Sequence, residues 1–387
     1  MDSIALQQAR TANTYVNRGL CLTHGAGAYL VSENGDRYLD LMSNYGVSVF
    51  GYGHPTLTAT LSHQISTLTT LHNSFSNTTR AEASDALVKR CGADYHQVYW
   101  SNSGAEAIEA ALKFAVLTTK KKRFIVCDHG YHGKTLGALS ATAGEKYKAP
   151  FQPLLWDFVQ IPFNNLAALE QALNDQTAAF IVEPIQGEGG IHPPTTGYLT
   201  RVKELCAAKG ALLILDEIQT GIGRTGTFLA SHKEQVIGDI VCLGKGLAGG
   251  IPVGATVFNQ RIADTITKHI HTSTFGGNPL ACAGVLVTLS LLTDSQLERV
   301  KTLEAEFKTW QARLASPLLS DTRGEGLMLG FVVKDKRNEL LKALQNEHVL
   351  AIPAGEDVIR LLPPFILTDE DMAFGFNAFQ NALKTFS

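Results

Sequence analysis

The sequence predicts an α/β protein: a large domain on a central, mostly parallel sheet, with a smaller α+β domain beside it. Three observations predict this. From about residue 55 to 270, short apolar runs alternate with helical stretches. Those runs lack an alternating polar face, as strands covered on both sides do. After Pro279 the alternation stops, and 387 residues are more than one compact core usually holds.

Residues 1–20 read as a helix and a loop. Ala28–Val31 and Arg37–Asp40 flank the turn Glu33-Asn34-Gly35-Asp36, a hairpin signal. The apolar runs that follow are Val98–Trp100, Arg123–Val126, Ala179–Val182, Ala211–Leu215 and Ile240–Leu243. Between them lie helical stretches at Ala81–Cys91, Ala105–Thr118, Leu166–Asn174 and Leu199–Lys209. Strands separated by helices of this length form βαβ units, and hence a parallel sheet.

After Pro279 a long helical stretch runs through Trp310 to Leu314. Then come a strand (Met328–Val333), a helix (Asn338–Glu347), short strands (Val349–Ile352, Val358–Leu361) and a last helix. Thr368-Asp-Glu-Asp371 has the form of a capping box opening that helix. Three segments result: 1–50, whose hairpin joins the small domain; 51–278, the large domain; and 279–387, a linking helix and the small domain.

Composition excludes several classes. The net charge of −3 gives no reason to expect nucleic acid or an anionic membrane as a partner. No apolar run reaches the roughly 18 residues a bilayer span needs. Residues 1–20 are polar and mixed, without a visible secretory signal. The six cysteines are scattered with no C-x-x-C pair, which reads as reduced thiols in a cytoplasmic protein and argues against a metal site.

The residues richest in chemistry are Lys245 and Asp216. Lys245 sits in Leu-Gly-Lys-Gly-Leu-Ala-Gly-Gly, poor in charge and rich in glycine. A lysine in an apolar pocket loses its proton easily and condenses with an aldehyde. Asp216 ends the apolar run Leu-Leu-Ile-Leu, and a buried carboxylate needs a cationic partner. Pyridoxal phosphate answers both needs, with an aldehyde for the lysine and a pyridinium nitrogen for the aspartate.

Other motifs gather at the ends of the same strands. Ser103-Gly104-Ala105 opens a helix after a strand, so it is either a phosphate cup made of backbone N–H groups or an ordinary helix cap. Tyr131 is either a ring-stacking residue or a core aromatic. Gly133-Lys134-Thr135 imitates the end of a nucleotide P-loop, but the required glycine is Asp128. Gly221-Ile-Gly223-Arg-Thr-Gly226 fits dinucleotide spacing, but five residues separate it from its strand and no helix follows, so it reads as a flexible loop carrying Arg224. Glu183 and Glu188 flank a glycine turn at a strand end, where open α/β sheets bind ligands; Glu188 also suits a surface loop. Arg360, alone in an apolar run, suits a ligand carboxylate or a structural acid.

Together these segments, with Thr274 in Thr-Phe-Gly-Gly-Asn-Pro-Leu-Ala, resemble the class III aminotransferases from about residue 10 to the C-terminus. Within the class the chain is most similar to the acetylornithine aminotransferase group, including lysine-pathway relatives. The resemblance implies fold type I, pyridoxal 5'-phosphate and a homodimer sharing its active sites across the interface. It implies that Lys245 carries the cofactor, Asp216 pairs with its pyridine nitrogen and Gln219 lies near its hydroxyl. It places Ser103, Gly104 and Ala105 on the phosphate with Thr274 from the partner subunit, and Tyr131 on the ring; Glu183, from its place at a strand end, is a further cofactor-binding candidate. Arg360 is implied to grip the carboxylate of 2-oxoglutarate or glutamate, and Glu188 to pair with it when a terminal amine binds. Ser273 and Thr274 would close the site across the interface.

Two positions depart from the pattern. Lys134 stands where arginine usually recognises the donor carboxylate, keeping the charge without the fork. Tyr45, in Ser-Asn-Tyr-Gly-Val, resembles ornithine aminotransferases and some lysine-pathway members. The expected reaction moves the terminal amino group of N-acetylornithine, or a similar acylated diamino acid, to 2-oxoglutarate, in arginine or lysine biosynthesis. The rival is ornithine or another ω-amino acid as donor.

Overall fold

In the computed structural model, which describes residues 2–314 and 316–386, fifteen strands form three sheets. In chain order the strands are β1 (Leu22–Ala26), β2 (Tyr29–Ser32), β3 (Arg37–Asp40), β4 (Tyr95–Ser101) and β5 (Arg123–Cys127). Then come β6 (Asp157–Ile161), β7 (Thr177–Val182), β8 (Leu212–Asp216), β9 (Ile240–Leu243) and β10 (Gly254–Asn259). The last are β11 (Leu319–Glu325), β12 (Met328–Val333), β13 (Val349–Leu350), β14 (Ile352–Ala354) and β15 (Val358–Leu361).

The large sheet has the order β4-β10-β9-β8-β7-β5-β6. Only β10 runs against the rest, antiparallel to both β4 and β9. The expected mostly parallel α/β sheet is therefore the architecture observed. The carboxyl ends of β4, β5, β7, β8 and β9 consequently point to one edge.

Side-chain alternation splits the sheet between two cores. Phe180 and Val182 of β7, with Leu213 and Leu215 of β8, pack into one core. Ala179 and Ile181, with Leu212 and Ile214, pack into the other. The helix Gly104–Thr119 closes the second core through Ala107, Ala111, Phe114 and Ala115. The helices Thr78–Cys91, Tyr198–Ala208 and Pro279–Leu291 close the first. Burying each such large apolar side chain is worth about 2 kcal/mol, so covering both faces fixes strand order and register.

The hairpin of β2 and β3 is observed, and its β3 runs parallel to β13 in a sheet ordered β1-β2-β3-β13. A third sheet, β11-β12-β15-β14, is antiparallel. It carries Arg360 in β15, opposite Gly330 of β12. Thr368 and Asp371 form the capping box of the helix Asp369–Lys384.

Four strands were not visible in the sequence. β1, β6 and β11 are polar sheet edges, without the continuous apolar run of a central strand. β10 opens on Gly254, where a Cβ would meet Ser103 O at 2.1 Å, so its start is shaped by a close approach rather than by hydrophobicity. The stretch after Pro279 is two helices, bent by 71° where Thr293 caps the second. Among the described residues no single helix is long and apolar enough to cross a membrane.

Candidate active site

The strand ends at the common edge bring the candidate residues together. β8 ends at Asp216, β7 leads to Glu183, β5 to Tyr131, β4 to the helix N-terminus at Gly104, and β9 to Lys245. Close packing of these loops needs glycine. A Cβ on Gly104 would meet the Ile218 side chain at 2.8 Å, and one on Gly133 would meet Ala105 Cβ at 2.7 Å. A Cβ on Gly244 would lie 3.4 Å from the Gly104 backbone. The lysine turn, the helix N-terminus and the Tyr131 loop therefore wall one small space.

Lys245 begins the short 3-10 turn Lys245–Ala248 with φ of 47°, in the left-handed region that non-glycine residues rarely adopt. Burial lowers its pKa; Glu188, Asp216 and Glu183 pull it back up, while Arg360 adds to the lowering. An amine poised in this way gives up its proton more readily than a surface lysine.

Asp216 is 4% exposed, and its Oδ2 accepts a 2.6 Å hydrogen bond from Nδ1 of His132, itself 3% exposed. Its Oδ1 accepts from Ile218 N at 3.1 Å. Burial opposes a charge on His132, but the bond to Asp216 and the fields of Asp216 and Glu183 outweigh it, and its pKa is raised. The imidazole thus fixes the carboxylate from one side. The Tyr-His-Gly segment at a strand end was in view in the sequence, but nothing in it showed that its histidine meets Asp216.

Both oxygens of Glu183 are engaged by backbone, accepting from Tyr131 N at 2.9 Å and Gly187 N at 3.0 Å. The structure thus uses Glu183 to hold the loops of Tyr131 and Glu188. Burial and the nearby Asp216 push its pKa up, with His132 opposing.

At the helix N-terminus, Ser103 caps the helix by accepting from Glu106 N at 3.2 Å. Its cap role is therefore real, and the half-buried Gly104 and Ala105 follow at the dipole's positive end. Ser273 lies beside this cup in the same chain, with Asn102 Nδ2 donating to its Oγ at 3.3 Å. Thr274 is exposed and makes no hydrogen bond to the cup among the described residues.

Arg360 is fully buried and donates through Nη2 to Glu188 Oε1 at 2.7 Å and through Nη1 to Gln219 Oε1 at 3.0 Å. Its Nε has no partner among the described residues. Glu188 keeps 31% of its side chain exposed. Burial raises the Glu188 pKa, but Arg360 and Lys245 outweigh burial and hold it below the usual value. The Tyr45 ring centroid is 5.9 Å from Arg360 Cζ, within cation–π range.

Tyr131 is half-buried, and burial pushes its phenol up to about 12. The Lys134 ammonium is 5.5 Å from the Tyr131 ring and 3.4 Å from that of Tyr147. A cavity of about 800 Å3 opens beside Tyr131 and Glu188 and is bounded further out by Tyr147, Arg323 and Arg337.

The dinucleotide-like segment is neither a nucleotide site nor a flexible loop. Ile222, Arg224 and Thr225 are each 1% exposed, and Arg224 donates to the carbonyls of Leu327 and Pro363. Arg224 ties this loop to the chain on either side of β12 and β15.

The residues fit pyridoxal phosphate. A lysine whose pKa burial lowers, a buried aspartate bonded to His132, and a glycine-opened helix N-terminus are groups that suit an aldehyde, a pyridinium nitrogen and a phosphate. That combination defines an enzyme that uses an aldehyde cofactor on amines. The comparisons agree. The family model for aminotransferase class-III matches residues 10–383. A protein of Methanopyrus kandleri named acetylornithine aminotransferase is 37% identical over 386 residues, 99% of each chain. One of Pyrococcus abyssi, named a putative LysW-aminoadipate semialdehyde/glutamate semialdehyde transaminase, is 42% identical over 91% of this chain and 93% of its own. The structure of the ornithine aminotransferase from Toxoplasma gondii, described with PLP in partial occupancy at its active site, superposes with a TM-score of 0.94 at 33% identity, covering 99% of this chain and 94% of that one. The chain belongs to the class III aminotransferases, and it is a pyridoxal-phosphate-dependent transaminase.

His132 and Glu183 both have raised pKa values, so the native state holds protons that the unfolded chain releases. Their contribution to stability is present at low pH and is lost as pH rises through the raised values. Between about pH 5 and pH 8, Glu183→Gln should therefore lose less stability with rising pH than the wild type does. Unfolding midpoints across that range check it; an unchanged slope would contradict the buried proton.

Proposed function

We propose that this transaminase moves the terminal amino group of an N-acylated diamino acid, N-acetylornithine or a close analogue, to 2-oxoglutarate. The products are a semialdehyde and glutamate, in arginine or lysine biosynthesis. The observation that carries the reading is the Arg360–Glu188 pair at 2.7 Å beside Lys245. A donor reacting through its terminal amine brings no carboxylate to the reacting carbon, so Glu188 keeps the buried guanidinium neutralised. The acceptor carries a carboxylate next to its oxo group. That carboxylate replaces Glu188 on Arg360 through a bidentate fork, and Glu188 moves toward solvent.

Ser103, Gly104 and Ala105 would hold the cofactor phosphate, Asp216 its ring nitrogen, Gln219 its hydroxyl, Tyr131 a ring face and Lys245 its aldehyde carbon. When bound, it supplies an aldehyde for exchange with amines and a ring that withdraws electrons. Lys245 Nζ holds the proton removed from the donor's terminal carbon. Asp216, fixed by His132, keeps a positive charge favourable opposite it. Lys134, at the mouth beside Tyr131, offers a cation to the donor's carboxylate.

Related observations support a homodimer. Tyr15, Val16, Phe75 and Phe275 are exposed by 88%, 93%, 64% and 58%, and Phe275 adjoins Thr274. A second copy covering Phe275 would bring the exposed Thr274 beside it to the partner's cup. The six cysteines are free, which suits the cytoplasm. A second reading, ornithine as donor, is favoured by Tyr45, whose phenol beside Arg360 suits a free α-amino group.

Lys245→Ala should lower turnover about a thousandfold or more, measured as glutamate formed from N-acetylornithine and 2-oxoglutarate; a wild-type rate would contradict the assignment. Glu188→Gln unmasks Arg360, so reaction with glutamate should gain over the terminal-amine donor by about tenfold. The ratio of the two half-reaction rates reads this, and an unchanged ratio would remove Glu188 from donor choice.

A further inference from the structure

Three consecutive non-glycine residues, Ser43, Asn44 and Tyr45, adopt φ of 43°, 50° and 61°, and Gly46 follows at 84°. L-residues avoid this left-handed region, and a run of them persists only where the surroundings enforce it. The enforcing group is Asp40, fully buried at the end of β3. Its Oδ1 accepts from Met42 N at 2.9 Å, and its Oδ2 accepts from the Tyr52 hydroxyl at 2.5 Å. Burial raises the Asp40 pKa, and the Tyr52 hydroxyl and the N–H groups of Met42, Asn44 and Ser43 oppose it. One carboxylate thus gathers the backbone donors of the turn.

The turn is stapled to the Arg360 segment on both sides. Leu362 N donates to Leu41 O at 2.7 Å, and Phe365 N donates to Val49 O at 2.8 Å. It also abuts the lysine turn, where a Cβ on Gly246 would meet Val49 at 2.8 Å. Tyr45 is 47% exposed, and its ring centroid lies 5.9 Å from Cζ of the fully buried Arg360.

We infer that Asp40 is a positioning residue for the acceptor carboxylate: by holding the left-handed turn Ser43–Gly46, it seats Tyr45 over Arg360, where the ring completes the site in which a carboxylate meets the guanidinium. Tyr52 acts in the same direction through its hydroxyl. Asp40 touches no reacting atom, so its effect passes through Tyr45. The inference rests on the proposed role of Arg360 as the site of the acceptor carboxylate.

A double-mutant cycle on the cofactor-loaded enzyme tests it, with Asp40→Asn, Tyr45→Ala and the pair. The readouts are the KM for 2-oxoglutarate and the calorimetric affinity for glutarate, a dicarboxylate that cannot react. Asp40→Asn alone should weaken both by about fivefold to tenfold, and should change neither by more than about twofold once Tyr45 is alanine. Tyr52→Phe, a milder change in the same carboxylate's shell, supplies the first arm of the cycle if Asp40→Asn does not fold. Equal effects in both backgrounds, or no effect in either, would overturn the inference. A wild type without turnover or a visible cofactor band would instead overturn the proposed function, so the two failures are distinguishable.

Discussion

The site depends on one buried carboxylate. Asp216 stands at the end of a strand buried along its whole length, where an ionised group survives only with fixed partners. His132 supplies one at 2.6 Å and Ile218 N another at 3.1 Å, and the proposed third is a cationic ring nitrogen. Parallel strands make this possible because their carboxyl ends share an edge. Lys245, Glu183, Tyr131 and the helix at Gly104 come to that edge from different strands, so no single loop holds the chemistry.

A second electrostatic problem is solved differently. Arg360 is as buried as Asp216, but its acidic partner Glu188 keeps part of its side chain exposed. The fixed pair suits a group that stays in place through turnover. The partly exposed pair suits a position proposed to meet a carboxylate in one half-reaction and none in the other. Gln219 links the two regions, being three residues from the β8 end and bonded to Arg360 at 3.0 Å.

The sequence made the chemical groups legible, but few of their contacts. Lys245 and Asp216 could be read because each contradicts its surroundings, a charge set in apolar or glycine-rich chain. The central strands could be read because burial on both faces leaves a continuous apolar run. His132 could not be assigned, because its partner lies 84 residues away and only the fold brings them together. The polar edge strands β1, β6 and β11 follow from pairing rather than from hydrophobic pattern. Arg224, expected in a flexible loop, is buried, because its guanidinium meets carbonyls that lie more than a hundred residues away. The left-handed turn at Tyr45 was not legible either, since Ser-Asn-Tyr has no glycine until Gly46.

The most direct measurement is the visible spectrum of the protein loaded with pyridoxal phosphate and mixed with one donor at a time, without acceptor. N-acetylornithine, ornithine, lysine and 4-aminobutyrate are the donors to compare. The account predicts that the band of the lysine-bound cofactor converts to the pyridoxamine form fastest with N-acetylornithine. A band that no terminal-amine donor changes, or one that ornithine converts faster, would contradict the account of how Arg360, Glu188 and Lys134 choose the donor.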